Sequence, residues 1–226
     1  MLEKFIVTID GTSSTGKSTI AKRIARKLSY TYIDSGAMYR ALTFFCLEQK
    51  IISKSFFKKD VLLKKLNNIK IDFKKNPKNN ILEINLNGAF VEDKIRTIMV
   101  SDFVSILAKL DDVRTFMVKI QHSLGKKKGV VMDGRDIGTV VFPNAEYKFF
   151  LEASPKLRAE RRFNELKKNN NKVSYEDVYN NIISRDSHDI NRLNSPLKMA
   201  SDSIFIDTES LDLDEVENII LNHITS

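Results

Sequence analysis

Five short apolar runs recur along the 226-residue chain, each set beside stretches whose apolar residues return every three or four positions. The runs are Phe5-Ile-Val-Thr-Ile9, Tyr30-Thr-Tyr-Ile33, Val130-Val-Met132, Tyr147-Lys-Phe-Phe-Leu151 and Ile204-Phe-Ile206. Runs this short, flanked by helical patterns, predict buried strands of a parallel sheet built from βαβ units. The first helix is predicted over Ile20 to Leu28, with apolar residues at 20, 21, 24, 25 and 28 forming a core-facing stripe. Similar stripes predict helices from about Gly36 to Gln49, from Ile95 to Ala108 and from Val113 to Leu124. A last helix is predicted from Asp212, which can cap it while Glu215 reciprocates, burying Val216, Ile219, Ile220 and Ile224.

Two stretches break this alternation. Between Ile69 and Glu92 the period becomes two, with Leu82, Ile84 and Leu86 alternating with Glu83 and Asn85. Asn79-Asn80 and Asn87-Gly88 are hairpin turn signals, so a small antiparallel sheet is expected there, outside the parallel one. From Ser154 to about Asp202 the pattern is helical and polar, with Ser154-Pro155 as cap and first turn. A polar break, Lys167 to Lys172, precedes a second helix capped by Ser174 with Asp177. The polarity and the many arginines of 154–202 suggest a mobile lid more than a core element.

Composition narrows the class. Hydrophobic content of 42% and charged content of 29% are those of a globular protein. No apolar run approaches the ~20 residues needed to span a bilayer. The opening Met-Leu-Glu-Lys leads straight into a strand without a signal-peptide pattern, so a cytoplasmic protein is expected. The one cysteine, Cys46, excludes an intramolecular disulfide and, set among Phe44, Phe45 and Leu47, reads as a buried structural thiol. Three isolated histidines suggest no metal cluster, and the apoprotein is read as metal-free. The net charge of +8 comes from scattered lysines without interleaved aromatics, so it is read as composition rather than as a nucleic-acid surface.

Chemistry enters with Gly11-Thr12-Ser13-Ser14-Thr15-Gly16-Lys17-Ser18, lying between the first strand and the first helix and followed by Thr19. This is the G-x-x-x-x-G-K-[ST] pattern in that context, a phosphate-binding loop. The glycines let the backbone wrap an anion, and the helix start offers unpaired N–H groups and partial positive charge. Lys17 can neutralise β- and γ-phosphates, and the Ser18 hydroxyl is a candidate Mg²⁺ ligand.

Three further clusters carry charge at the predicted strand ends, where parallel sheets bind ligands. Asp34-Ser-Gly-Ala-Met-Tyr-Arg40 closes the second strand; Arg40 could grip an anion there, or the segment is an ordinary capped helix start. Asp133-Gly-Arg-Asp136 follows the strand ending at Met132. Asp133 suits a counter-charge to Mg²⁺ through water, whereas Arg135 and Asp136 could be only a loop ion pair. Arg185, Asp189 and Arg192 are spaced i, i+4, i+7, placing them on one helical face. They, with Arg158, Arg161 and Arg162 upstream, could supply positive charge to a migrating phosphoryl group or could be satisfied surface pairs.

Taken together, these strings resemble the bacterial-type cytidylate kinases (CMP/dCMP kinases) of the nucleoside monophosphate kinase group. The resemblance rests on Ile9-Asp-Gly11 running into the loop, Ile33-Asp-Ser-Gly-Ala-Met-Tyr-Arg40, Asp133-Gly-Arg-Asp-Ile-Gly-Thr-Val-Val-Phe-Pro143, Arg185-Asp…Asp189…Asn191-Arg192 and Ser195-Pro-Leu197. It covers nearly the whole chain. It implies a P-loop NTPase fold of three α/β/α layers, with a five-stranded parallel sheet, a small antiparallel-sheet insertion in the acceptor-binding region and a helical lid. One domain over 1–226 is implied, with core 1–36, 109–153 and 203–226, acceptor insertion 37–108 and lid 154–202. The implied partners are ATP, with Mg²⁺, and CMP or dCMP, in a monomer that binds neither nucleic acid nor membrane.

By the same resemblance, Gly11 to Thr19 hold ATP. Ser35, Ser105, Arg114, Arg135 and Asp136 contact the cytosine or its neighbourhood. Arg40, Arg135 and Arg192 take the acceptor phosphate, and Arg185 with Asp189 takes the sugar. Arg161 and Arg162 stabilise the transferring group. Two positions depart from the family pattern: Thr12 stands where proline is usual, and His188 where arginine is expected. The rival readings are a P-loop kinase for UMP, AMP or a shikimate-type metabolite, and a nucleotide-dependent switch or RNA-associated NTPase. The first is disfavoured by the Gly-Arg-Asp pairing and the antiparallel insertion, the second by the absence of an Asn-Lys-x-Asp string.

Overall fold

The computed structural model describes residues 3–168 and 173–225, so part of the polar break expected at 167–172 lies outside the described residues. The chain divides into two compact units, residues 1–33 with 125–226, and residues 34–124.

The first unit is built on a five-stranded sheet in the order β2-β6-β1-β7-β8. Its strands are β1 (Ile6–Gly11), β2 (Thr31–Asp34, ending at the unit boundary), β6 (Val130–Asp133), β7 (Tyr147–Glu152) and β8 (Ile204–Asp207). The central strand β1 runs parallel to β6, with Ile9 opposite Asp133, and to β7, with Gly11 opposite Leu151. All of β1 is buried, as a strand covered on both faces must be. Val7 and Ile9 lie in a core with Ile20, Ala21 and Ile24 of helix α1 (Lys17–Leu28) and Val216, Ile220 and Ile224 of helix α8 (Leu213–Thr225). Strand alternation sends Thr8 and Asp10 to the opposite face. The capping box expected at the last helix forms: Asp212 accepts from Glu215 N–H at 2.9 Å, and Glu215 accepts from Asp212 N–H at 2.8 Å.

The expected helical stretch of 154–202 contains α6 (Pro155–Lys168) and α7 (Tyr175–Ile190), with Ser174 capping α7 through the Asp177 N–H. Helix α7 ends at Ile190, so Arg192 does not continue its face; Asn191 caps the helix and the chain turns.

The second unit holds α2 (Ser35–Glu48), α3 (Lys59–Leu66), α4 (Ile98–Ala108) and most of α5 (Asp111–Gly125). It also holds the antiparallel sheet β3 (Ile71–Lys75), β4 (Leu82–Leu86) and β5 (Ala89–Phe90). Asn80, Asn87 and Gly88 take the positive φ values that such hairpin turns need. Helix α3 goes beyond the expected elements; Leu62 and Leu66, four apart, bury its short apolar face. The helix expected from Ile95 begins only at Ile98, because Thr97 is extended and its hydroxyl caps the Val100 N–H at 3.3 Å. Cys46 is fully buried, as expected, and burial pushes its thiol up to about 12.

Candidate active site

The phosphate loop has the shape its glycines predict. Gly11 sits at φ +143°, and a Cβ there would lie 1.9 Å from the Leu151 carbonyl oxygen, so β7 leaves room for glycine alone. Gly16 sits at φ +90° and opens α1 with no side-chain cap and no acidic residue in the first turn. The uncapped N–H groups and dipole of this helix therefore favour an anion.

Lys17 is buried and donates to the Thr12 carbonyl and to the Thr15 hydroxyl, the latter at 3.2 Å. Burial, followed by the nearby Arg135, holds its ammonium well below the usual lysine range. A phosphate would relieve both penalties.

Parallel pairing of β1 with β6 brings Asp133 beside the loop. The Ser18 and Tyr32 hydroxyls donate to its two carboxylate oxygens, each at 2.8 Å. A hydroxyl and a carboxylate are hard oxygen donors, the chemistry Mg²⁺ prefers alongside phosphate and water, so these residues fit the implied ion. Nothing local in the sequence marks Tyr32 for this role.

The next turn carries Arg135 and Asp136. Arg135 pairs with Asp189 at 3.0 Å, and Arg192 donates to Asp136 at 3.2 Å while lying 3.8 Å from Asp189. Arg192 thus reaches Asp189 although it lies past the helix end. Arg185 is partly buried, and its enclosed Nε lacks a hydrogen-bond partner among the described residues. Burial first, then Arg135, brings its guanidinium down to about 10. Cations crowded in this way call for an anion.

The turn itself is held by Asp10, a residue to which the motifs assign no role of its own. Asp10, on the face of β1 away from α1, accepts the Ile137 and Gly138 N–H groups at 2.9 and 2.7 Å. Those residues begin a π-helical turn, Ile137–Val141. Burial outweighs the two bonds and, with Asp136 nearby, raises Asp10 to about 7.

Arg161 donates to the Thr208 hydroxyl and carbonyl at 3.2 and 2.8 Å. It lines a cavity of about 580 Å³ together with Thr15, Gly16, Thr208 and Leu213. Arg162 pairs with Glu165 at 2.8 Å on the surface of α6.

In the second unit, Asp34 caps α2 by accepting the Ala37 N–H at 2.9 Å, and it takes a second bond from Arg96, also at 2.9 Å. Ser35 follows, buried, in the first turn. Arg40 donates to Ser101 of α4 at 2.9 Å; Ser105 stands one turn further along α4, and Arg114 is buried on α5.

A phosphate loop at the carboxyl edge of a parallel sheet, with a buried lysine and a Ser–Asp pair beside it, makes this a P-loop kinase by fold and site. The sequence profile of the family described as cytidylate kinase matches residues 7–226, and the chain belongs to that family. A cytidylate kinase from Flavobacterium johnsoniae is 50% identical over 214 residues, covering 95% of this chain and 93% of the relative. One from Flavobacterium psychrophilum is 48% identical over 221 residues, covering 98% of each. A crystal structure of an uncharacterized protein from Eubacterium ventriosum superposes with a TM-score of 0.53 at 12% identity over 99% of each chain, a likeness of fold. Among the described residues no helix is long and apolar enough to cross a membrane.

Proposed function

We propose that this chain transfers the γ-phosphoryl group of ATP directly to CMP and dCMP, giving CDP and dCDP. The observation that carries the reading is an intact phosphate loop with its lysine buried inside it, in a chain matched to the cytidylate kinase family over residues 7–226. Phosphoryl transfer asks the protein for positioning and positive charge and for little covalent chemistry.

Residues 11–19 hold the triphosphate, and the cavity beside Thr15 and Gly16 receives the donor nucleoside, with Arg161 at its wall. Ser18 and Asp133, the latter through water, hold Mg²⁺, which neutralises phosphate charge when bound. Lys17, Arg135, Arg161, Arg162 and Arg192 stabilise the charge of the migrating group. Asp136 accepts from the N4 amino group of cytosine, the donor that distinguishes this base from uracil. Arg185 and Asp189 serve the sugar, and Arg135 and Arg192 the acceptor phosphate. In the second unit, Ser35, Ser105 and Arg114 are assigned to the base and Arg40 to the phosphate. Residues 154–202 act as the lid over a core of 1–36, 109–153 and 203–226, and residues 37–108 form the acceptor insertion. The protein works as a cytoplasmic monomer, without nucleic acid or membrane.

The test is turnover of a monophosphate panel with ATP and Mg²⁺. CMP and dCMP are expected to be fastest; equal or faster turnover of AMP overturns the base assignment.

A further inference from the structure

Two buried side chains of the α6–α7 pair reach the phosphate loop: Arg158, a candidate source of charge by sequence, is one half of a buried ion pair, and Asp186 is the other. Arg158 on α6 is 3% exposed and Asp186 on α7 is 6% exposed. Arg158 Nη1 donates to the Ser13 carbonyl at 3.1 Å and to Asp186 Oδ2 at 2.5 Å, while its Nε donates to the Ala153 carbonyl at 2.9 Å. Asp186 Oδ1 accepts the Ser13 N–H at 3.3 Å. The ion pair thus grips both main-chain polar groups of one loop residue, from 145 and 173 residues away.

The point gripped is where the loop needs holding. Ser14, the next residue, sits at φ +63°, a left-handed conformation costly for a residue with a side chain. Strained backbone persists only where its surroundings over-determine it. Thr12, on the other side of Ser13, lacks the ring that would stiffen this corner. Asp186 also lies close enough to Lys17 to favour its charged form.

From these contacts we infer that Arg158 and Asp186 are positioning residues, acting jointly through Ser13 so that the α6–α7 pair sets the loop geometry and with it the affinity for the donor's phosphates. The kinetic part of this inference rests on the kinase reading above. The competing account is a buried ion pair that only stabilises the fold.

Removing one partner leaves a buried charge alone, which is strongly destabilising, whereas an apolar pair of similar volume is tolerated. The test is therefore the paired variant Arg158→Met with Asp186→Leu, with Asp186→Asn beside it. Amide hydrogen exchange at Ser13 is measured without ligand, and KM is measured for ATP and for CMP. With the brace lost, Ser13 exchange is expected to rise ~10-fold or more and the ATP KM by ~10- to 100-fold, with the CMP KM within about twofold of wild type. A folded paired variant with wild-type Ser13 protection and ATP KM overturns the inference. So does an equal rise in both KM values. If the paired variant does not fold, Asp186→Asn decides by the same criterion, a selective rise in ATP KM against an equal or absent one. Should the wild-type protein phosphorylate no nucleotide, the kinase reading fails, and Ser13 exchange with calorimetric ATP affinity still decides the brace.

Discussion

Replacing Asp10 with asparagine should change how stability depends on pH, in a direction set by two opposing effects on one carboxyl group. The Ile137 and Gly138 N–H groups favour the carboxylate, while burial disfavours it more strongly, lifting the group from 3.8 to about 7. A carboxyl whose folded value lies above its unfolded value contributes stability that is complete below pH 3.8 and is lost as pH rises through about 7. Each tenfold change in proton concentration across that interval is worth about 1.4 kcal/mol, so the whole loss is about 4 kcal/mol. Asparagine has nearly the shape of the protonated acid and does not titrate. Urea unfolding of both proteins from pH 4 to pH 8 therefore isolates this group, because the other titrating side chains are common to the two. Relative to Asp10→Asn, the wild-type protein should lose stability steadily with rising pH and level off just above neutrality. A difference that stays flat, or that rises with pH, would show that the two N–H groups offset burial at Asp10 in full.

Three further substitutions probe the site. Gly11→Ala places a methyl group 1.9 Å from the Leu151 carbonyl oxygen at φ +143°. A destabilisation of about 3 kcal/mol or more is expected from overlap and backbone strain; a near-wild-type urea midpoint would contradict the β1–β7 register. Lys17→Ala should lower kcat by roughly 10²- to 10³-fold, the usual scale for removing one preorganised charge contact, and near-normal kcat would remove Lys17 from the transfer step. Asp136→Ala should narrow the ratio of kcat/KM for CMP over UMP. An equal fall on both substrates would mean that Asp136 serves by holding Arg192, its partner at 3.2 Å.

The phosphate loop could be read from sequence because its chemistry is contiguous: a glycine-bounded turn, a lysine and a hydroxyl within eight residues, between a strand and a helix. The same holds for the caps at Ser174 and Asp212 and for the hairpin turns at Asn80 and Asn87, where each residue acts on backbone within a few positions of itself. Helix α3 is faint in the sequence, since eight residues with two buried leucines carry little periodic signal. Helix α4 starts later than its apolar stripe implies because Thr97 stays extended and caps the helix with its hydroxyl.

Local patterning thus settled most of the strands and helices, where the phosphate loop lies, and that five strands run parallel, since hydrophobic period and turn chemistry act over a few residues. Asp10 under the π-helical turn, Tyr32 on Asp133, Arg161 against Thr208 and the Arg158–Asp186 grip on Ser13 are different in kind. Each joins residues 47 to 173 positions apart, in surroundings that are at least partly buried. A charged or hydroxyl side chain in a sequence looks the same whether it will face water or be enclosed. Its partners and its proton affinity are assigned when the strands and helices close around it.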